Sequence, residues 1–438
     1  MNTYIQFPSP PESFTDSNSK TPIERKPTIG YYLIDNINGS DPIPGLTEDL
    51  KMLVFFWLAI ISLFLTVACT LEVSLGMRRM VTLNDVSPIQ QKNVPKVSVI
   101  IPACNEAATI ETALKSILEM DYAHLEVIAV NDRSVDRTGA VLEQMQKQYP
   151  GLQVYDISVL PEGWLGKNHA LQYGAERAQG EYLLFTDADI IMEKSSLARA
   201  MHHMLENNID HMSMFFKSIA PGGLLNALIL DAGIGLMLLL KPWKAKDPNS
   251  KRYMGVGAFN LVKSDVYRKI DGHRTIAMHP IDDVMLGKVI KHRGFSQDCL
   301  LGHNFIQAEW YVDVRDFING LMKNTFAFCN YNMANVLFGI LIIMIINILP
   351  LFAIFFTSGI TRGLFGSAVM VRILSFAGGF SYTGINSWYS VWVLFTPYVF
   401  IYITLKAAIT TTINRGITWR GTYYSLDELK ANLQKVKM

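Results

Sequence analysis

Two aspartates one residue apart, Asp187 and Asp189, follow directly on the apolar run Tyr182 to Phe185 in the stretch EYLLFTDAD. Such a run is typical of a central strand covered on both faces, and ligands of open α/β sheets bind at the carboxyl ends of these strands. Two carboxylates about 4 Å apart repel by about 4 kcal/mol at an effective dielectric of about 20. A divalent cation bound between the two carboxylates would remove that cost. Because the ligands are all oxygens, Mg²⁺ or Mn²⁺ suits the pair better than zinc. An acidic turn is the simpler interpretation of Asp-x-Asp taken alone.

Polar residues also end the other strands that the sequence predicts. The run VSVIIPACNEAATIETALKSIL predicts a strand, a loop and a helix, and LEVIAVNDRSVDRTGAVLEQM repeats the pattern with Asp132 at the strand end. Two successive βα units predict a parallel sheet. We expect a third strand over 152–159, then the loop PEGWLGKNHAL and a helix from Asn168. Lys167 and the glycines before it are suited to bind phosphate, although Gly-Lys before a helix is commonly only a turn.

A second acidic pair, Asp282 and Asp283, opens the predicted helix DDVMLGKVI, where acids favour the N-terminus and simple capping is one explanation. Upstream, Gly255 and Gly257 precede a strand predicted over 258–262. Glycines at these positions indicate a backbone that approaches a bound group closely, and an ordinary glycine turn is an equal alternative. We therefore expect this stretch to form the second half of a site.

Half of the residues are hydrophobic and 18% are charged, and the net charge of +1 argues against a nucleic-acid-binding surface. Uncharged runs over 52–71, 335–360 and 387–405 are each long enough to cross a bilayer. The run 364–385 contains Arg372, so that a span and an interfacial or re-entrant segment are equally open.

The run 224–240 contains Asp231, which fits a helix lying in the membrane surface, with a buried core helix as an equal alternative. Arg78 and Arg79 follow the first apolar run, and the positive-inside rule places the following residues in the cytoplasm of a multi-pass cell-membrane protein. Four cysteines without metal or disulfide spacing agree with a reducing compartment. The resulting organisation is a disordered tail (1–50), a transmembrane anchor (51–77), a catalytic domain (92–330) with the possible interfacial helix 224–243, a C-terminal transmembrane region (335–411) and a cytoplasmic tail (412–438).

An ordered set of motifs carries a family resemblance: PACNE (102–106), NDRSVDRTG (131–139), GWLGKNHAL (163–171), TDAD (186–189) and HPIDDVMLG (279–287). The set resembles the family 2 inverting glycosyltransferases of GT-A fold, an α/β class with a Rossmann-like, mostly parallel sheet. The arrangement of apolar runs and the WRGTYY stretch (419–424) are similar to membrane glycosyltransferases that act on lipids, namely the hopanoid-associated, carotenoid and ceramide types. The resemblance implies a UDP- or GDP-linked sugar donor, a lipid acceptor and Mg²⁺ or Mn²⁺.

The same resemblance suggests roles for individual residues. The donor-binding set is Pro102, Ala103, Glu106, Asp132, Lys167 and Asp187; the metal set is Asp189 with Asp187; the acceptor side is Gly257, Asp282 and Trp310; and the general base is Asp283. In the family pattern a glutamate usually stands where this chain has Asp282. Core packing is an equal explanation for Trp310.

Three functions remain in competition. The first is a membrane glycosyltransferase that moves one sugar to a lipid with inversion. The second is a processive or oligosaccharide synthase of the same fold, but Glu309 stands where the Gln-x-x-Arg-Trp element of those synthases has arginine. The third is a non-catalytic membrane scaffold, which would have no need to maintain several mutually repelling carboxylates.

Overall fold

A computed structural model of the chain describes residues 44–90, 93–419 and 421–435. Most of the predicted disordered tail, residues 1–43, lies outside the described residues. The chain divides into two units, Met1–Val54 and Phe55–Met438. Every contact described below lies within the second unit.

A seven-stranded sheet forms the centre of the segment predicted as the catalytic domain (92–330), here called the catalytic half. Its strand order is β3-β2-β1-β4-β8-β6-β9. Its strands are β1 (Val97–Ala103), β2 (Leu125–Asp132), β3 (Leu152–Ile157), β4 (Tyr182–Phe185), β6 (His211–Phe215), β8 (Asn260–Lys263) and β9 (Gln297–Leu301). The pairs β3-β2, β2-β1, β1-β4 and β6-β9 are parallel, whereas β8 runs antiparallel to β4 and β6. The predicted α/β fold with a mostly parallel sheet is confirmed.

Two smaller sheets complete the strands. The first joins β5 (Ile190–Met192), β10 (Ile306–Ala308) and β7 (Lys217–Ser218), and the second is a hairpin of β11 (Gly416–Trp419) and β12 (Thr422–Ser425). The hairpin is followed by a helix and lies within the segment predicted as a tail, 412–438. The side of a membrane on which this segment lies stays a prediction.

Fourteen helices are described, apart from short 3₁₀ and π turns. They are α1 (Pro44–Met77), α2 (Ile110–Leu118), α3 (Thr138–Gln148), α4 (Gly166–Ala175), α5 (Ser196–Glu206), α6 (Gly223–Leu240), α7 (Ser264–Lys269), α8 (Asp282–His292), α9 (Val314–Phe328), α10 (Met333–Ile343), α11 (Leu349–Phe356), α12 (Gly359–Thr383), α13 (Thr396–Ile413) and α14 (Leu426–Lys435). A 3₁₀ segment, Ser387–Leu394, precedes α13.

The sheet separates two apolar cores because successive side chains of a strand point to opposite faces. In β1, Val97, Val99 and Ile101 pack into one core, while Ile100 packs into the other. All seven residues of β1 and all four of β4 are buried. Burial on both faces explains why these strands read as continuous apolar runs and not as alternating patterns.

Several element boundaries differ from the sequence prediction. Helix α4 begins at Gly166 and not at Asn168, which places Lys167 in its first turn. Strand β3 ends at Ile157, two residues before the predicted end. Strand β8 begins at Asn260, because the residues just before it, including Ala258, form a turn closed by a hydrogen bond from Phe259 to Val256.

Four helices are long and apolar enough to cross a membrane, by length and composition, within the described residues: Glu48–Met77, Gly223–Lys244, Met333–Phe356 and Gly359–Thr383. The pair Ser387–Leu394 and Thr396–Ile413 adds a fifth if its two parts, bent by 53°, form one span. The charges that made two of these runs ambiguous neutralise each other, since Arg372 lies 2.9 Å from Asp231. The Thr396 hydroxyl also donates to Asp231, which links α6, α12 and α13.

Candidate active site

The carboxylates that follow β4 lie where the chain turns back toward β5. Asp187 continues from the strand, and the turn falls at Ala188 and Asp189. The Thr186 hydroxyl donates to the Ala258 carbonyl at 2.8 Å, and the Asp187 N–H donates to the Gly257 carbonyl at 3.1 Å. These bonds tie the end of β4 to the chain segment that leads into β8.

Gly257 joins the two predicted acidic pairs. Its carbonyl accepts from the Asp187 backbone, and its N–H donates to Asp283 Oδ2 at 2.8 Å. A Cβ at this position would lie 2.6 Å from Asp187 Oδ2, closer than real contacts allow. The glycine is therefore required by the close approach of two carboxylates and not by a turn.

Lys167 lies between the same acids. Its ammonium is 2.7 Å from Asp187 Oδ1 and 3.4 Å from Asp282 Oδ1. Burial acts to lower the pKa of Lys167, but Asp187, Asp282 and Asp283 outweigh it and hold that pKa above its usual range. The lysine is thus a fixed positive charge in the first turn of α4, where backbone N–H groups also attract anions.

The next residue, Asn168, fixes the loop that carries the second acidic pair. Its side-chain amide donates to the carbonyls of Ile276, Ala277 and His279 at 2.9, 3.1 and 3.0 Å. The N–H of Leu165 also donates to Ala277. The loop before α4 and the loop before α8 therefore form one rigid unit.

Two of the acids hold their protons more tightly than ordinary aspartates. Burial, then Asp187 and Glu106, raise the pKa of Asp189 to about 7. Burial, then Asp282, raise the pKa of Asp283 to about 6, against the lowering effect of Lys167. Asp283 Oδ1 also accepts the N–H of Val284 at 2.8 Å. Perturbed pairs of this kind are concentrated at functional sites.

Asp187 and Asp189 fit an Mg²⁺ or Mn²⁺ ion. They offer only carboxylate oxygens, and burial, then the charges of Asp187 and Glu106, raise the pKa of Asp189, an effect that a bound cation would oppose. Within the described ranges no group of three or more His, Cys, Asp or Glu side chains is placed to hold a metal ion.

The loops after β1 and β2 are locked together on the other side of the site. Asn105 receives an N–H from Val135 at 2.8 Å and donates its own N–H to Ser134 at 3.0 Å. Thr138 accepts the N–H of Glu106 at 2.8 Å. The polar residues of NDRSVDRTG thus order the loop after β1 that presents Glu106.

Asp132 is held by its neighbour Arg133, which the sequence analysis did not single out. The guanidinium donates to both carboxylate oxygens, at 2.7 and 3.0 Å. Arg133 adopts a φ of 55°, a left-handed conformation that is uncommon for residues other than glycine. The side chain of Asp132 is 4% exposed, so its orientation is set by this pair.

A buried polar network centred on Gln297 supports the chain segment that contains Gly257. The Gln297 side chain accepts the Met254 N–H at 2.9 Å and donates to the Gly287 carbonyl and to His211 Nδ1 at 3.0 and 2.8 Å. His211 in turn contacts Asn260, and burial lowers the pKa of His211 to about 4, so it is neutral. The network links the segment containing Gly257 to helix α8.

All the residues singled out as donor, metal, base or acceptor positions line one cavity of about 1290 Å³. They are Pro102, Ala103, Glu106, Asp132, Lys167, Asp187, Asp189, Gly257, Asp282, Asp283 and Trp310. Trp310 is 39% exposed, and its ring packs edge-on against Phe216 with 5.7 Å between the ring centroids. Its side chain therefore lines the cavity and is not part of a buried core. The individual roles of these residues stay predictions.

Apolar side chains of three helices line the same cavity. Leu236 and Met237 of α6, Phe328 of α9 and Leu374 of α12 line it together with the carboxylate cluster. The cavity therefore combines charged side chains with apolar ones, some of them from α6 and α12, which are apolar enough to cross a membrane.

Residues 98–269 match the family model described as Glycosyl transferase family 2. This segment is a family 2 glycosyltransferase domain. The matched segment of the family 2 domain contains β1, β2, β4 and the acids Asp132, Asp187 and Asp189, whereas α8 with Asp283 lies beyond it.

Relatives of the family 2 domain include a 4,4'-diaponeurosporenoate glycosyltransferase of Staphylococcus haemolyticus, 26% identical over 248 residues, or 52% of this chain and 60% of the relative. A probable glycosyltransferase, YdaM of Bacillus subtilis, is 37% identical over 108 residues, 24% of this chain and 26% of that protein. A beta-monoglucosyldiacylglycerol synthase of Synechocystis is 35% identical over 109 residues, 24% of this chain and 22% of that protein. The matches thus span between about a fifth and three-fifths of these relatives.

Among solved structures, a mannosyltransferase, PcManGT of Pyrobaculum calidifontis, in complex with GDP-Man and Mn²⁺, aligns with a TM-score of 0.48 and 18% identity, over 82% of this chain and 99% of that one. The structure of TarS from S. aureus aligns with a TM-score of 0.35 over 52% of this chain and 39% of that one, at 17% identity.

Proposed function

We propose that this protein is a membrane glycosyltransferase that transfers one sugar from a UDP- or GDP-linked donor to a lipid acceptor, with inversion at the anomeric carbon. One observation carries the proposal. The carboxylate cluster and apolar side chains of α6, α9 and α12 line a single cavity. A lipid chain can contact these apolar side chains while its polar group reaches the acids.

The names of the relatives point in the same direction. They describe transfer to a carotenoid acid, to diacylglycerol and, in two further relatives, to undecaprenol-linked sugars. Acceptors of this kind share a long apolar chain with one reactive polar end. The cavity of this chain is likewise lined by both apolar and charged side chains.

The residues of this chain suggest how the transfer proceeds. Lys167 and the N-terminus of α4 are placed to bind the donor diphosphate. Asp283, held by the N–H groups of Gly257 and Val284, accepts the proton of the attacking hydroxyl. The bond from the acceptor oxygen to the anomeric carbon forms as the bond to the diphosphate breaks, and attack opposite the leaving group inverts the configuration.

A bound Mg²⁺ or Mn²⁺, held by Asp189 with Asp187, would supply charge neutralisation for the diphosphate as it leaves. This assignment follows from the oxygen-only donor set and from the burial and neighbouring carboxylates that raise the pKa of Asp189. Lys167 already contacts Asp187 and shares that task.

Purified protein in lipid nanodiscs should be incubated with UDP-glucose, UDP-galactose or GDP-mannose and a membrane lipid extract, with Mn²⁺. The proposal expects a new lipid that gains one hexose, detected by mass spectrometry, with a β-linkage from these α-linked donors by NMR in the case of inversion. The Asp283→Asn variant serves as the inactive control. Products that carry many sugars would favour a processive synthase, and no product with any donor would contradict the proposal.

A further inference from the structure

The hairpin β11-β12 contacts the donor side of the site although it lies far from it in sequence. It follows α13 directly and is outside the matched segment 98–269. The guanidinium of Arg133 donates to the Thr422 hydroxyl at 3.3 Å, across a separation of 289 residues. Arg133 is the residue that holds both oxygens of Asp132. The hairpin is thus one contact away from an expected donor-binding carboxylate.

A second contact reaches the N-terminus of α4. Tyr424 is 5% exposed, and burial raises the pKa of its hydroxyl against the lowering effect of the Gly166 backbone and of Thr422, which lie beside it. Gly166 also lies against Asp132, since a Cβ there would collide with the Asp132 carboxylate and with Arg133. The hydroxyls of Thr422 and Tyr424 therefore lie between Arg133 and the helix start that carries Lys167.

The hairpin also forms part of the wall. Trp419, the last residue of β11, lines the cavity together with Asp132 and Lys167. Trp419 is paired with Thr422 across the hairpin. The indole and the hydroxyl that accepts from Arg133 therefore come from directly opposite positions of the two strands. One short element thus contributes both a surface and a hydrogen-bonded link.

We propose that the hairpin β11-β12 contributes Trp419, Thr422 and Tyr424 to the nucleotide-binding site, with Tyr424 and Thr422 as positioning residues for Asp132 and for the α4 N-terminus. The inference rests on the proposed function for the identity of the ligand, a nucleoside diphosphate. The hydrogen bond from Arg133 to Thr422 restricts the guanidinium to the position in which it pairs with both oxygens of Asp132. The donor site is then complete only when the C-terminal segment is docked.

Tyr424→Phe tests the inference, because it keeps the buried ring and removes only the hydroxyl. We expect the full chain in detergent, titrated calorimetrically with UDP and with GDP in Mn²⁺, to bind the preferred nucleotide about 3- to 10-fold more weakly, the usual effect of one hydrogen bond. Thr422→Val should weaken binding to a similar extent. The double variant should lose less than the product of the two factors, since both hydroxyls act in one network.

Tyr423→Phe is the matched control on the same strand. Its hydroxyl donates to the carbonyls of Asn414 and Arg415, away from the site, so nucleotide affinity should change less than about 2-fold. In turnover assays Tyr424→Phe should raise the donor KM by the same factor as the Kd and leave the acceptor KM unchanged, which a purely structural role would not do. Thermal unfolding of each variant checks that the fold is kept.

Two outcomes separate the inference from the proposed function. If the wild-type protein binds neither UDP nor GDP, the proposed function is wrong and the inference fails with it. If the wild type binds and Tyr424→Phe and Thr422→Val both bind equally well, the inference alone is wrong. Equal weakening by Tyr423→Phe would also overturn the role assigned to Tyr424.

Discussion

Replacing Asp283 with asparagine removes the proposed proton acceptor and keeps the size of the side chain. A positioned base contributes about 10²- to 10⁴-fold to turnover, so we expect Asp283→Asn to lower kcat by that factor. The variant should still bind nucleotide, because the expected donor-binding residues Asp132 and Lys167 are unchanged. The test requires a lipid acceptor with a hydroxyl, such as diacylglycerol, since an acceptor carboxylate is already ionised and needs no base.

The structure also predicts a cost in stability for this variant. Both oxygens of Asp283 accept backbone N–H groups, from Gly257 and from Val284, and asparagine has only one such oxygen. One N–H must then face the amide NH₂, at a cost of about 1–3 kcal/mol. Thermal unfolding and calorimetric binding of UDP and GDP therefore accompany the rate measurement, so that lost chemistry is separated from lost structure.

The dependence of kcat on pH tests directly whether Asp283 is the base. Burial and Asp282 raise the pKa of Asp283 to about 6, and only the ionised form accepts a proton. The wild-type kcat should be level above that pH and fall about tenfold per unit below it. This acid limb should be absent in Asp283→Asn. Asp282→Asn is the neighbouring control and should lose much less activity. A rate for Asp283→Asn within about fivefold of wild type at pH 8, with a hydroxyl acceptor, would refute the assignment of the base.

Three further outcomes are expected. Asp189→Ala should abolish the Mn²⁺-dependent gain in nucleotide affinity and Asp187→Ala should reduce it less; full activity in excess chelator would contradict the metal assignment. Gln297→Leu should leave the Met254 N–H without its partner, cost about 1–3 kcal/mol in thermal unfolding, and lower kcat by loosening the loop of Gly257. Arg372→Leu should destabilise the protein by up to about 3 kcal/mol, because the partly buried Asp231 carboxylate loses its opposite charge and keeps only the Thr396 hydroxyl. Adding Asp231→Asn should restore most of the loss. Equal melting temperatures for the wild type and Arg372→Leu would exclude the ion pair as a structural link.

The central strands could be predicted from the sequence because burial on both faces leaves a continuous apolar run. Strand β4 and the acids after it are the clearest case, since the run Tyr182 to Phe185 ends at the site. The start of α4 was placed two residues late because nothing in the local sequence distinguishes Gly166 as the first helical residue. In the structure the N–H of Leu165, just before it, is held by Ala277, a contact of long sequence separation.

The contacts that order the site could not be predicted for the same reason. Arg133 and Thr422, which are hydrogen-bonded, are 289 positions apart in the sequence, and Gln297 and His211 are 86 positions apart. Each residue taken alone is an ordinary polar residue, and only the fold brings the partners together. The runs containing Asp231 and Arg372 were ambiguous because a charge within an apolar run is costly unless it is paired, and the pairing spans 141 residues.

The contact between the hairpin and Arg133 restricts how the chain passes through a bilayer. Residues 416–425 lie on the same side as the large sheet, so the helices between β10 and β11 must cross an even number of times. Tyr382, near the end of α12, packs on His303 at 5.0 Å, which returns the chain to that side after Met333–Phe356 and Gly359–Thr383. If those two segments each cross the bilayer once, the bent pair Ser387–Leu394 and Thr396–Ile413 would begin and end on one side as a re-entrant hairpin.

The same reasoning applies to α6. The strands β7 and β8 that flank it both pair within the catalytic half, and at its far end Lys241 lies 3.0 Å from Glu72, near the point where α1 enters that half. A crossing by α6 would require residues 245–259, which are not regular helix or strand, to return through hydrocarbon with unpaired backbone groups. In the proposed membrane enzyme, α6 and the bent pair would therefore both be embedded in one leaflet beside the cavity, and the proposed lipid acceptor would enter sideways from that leaflet without leaving the membrane.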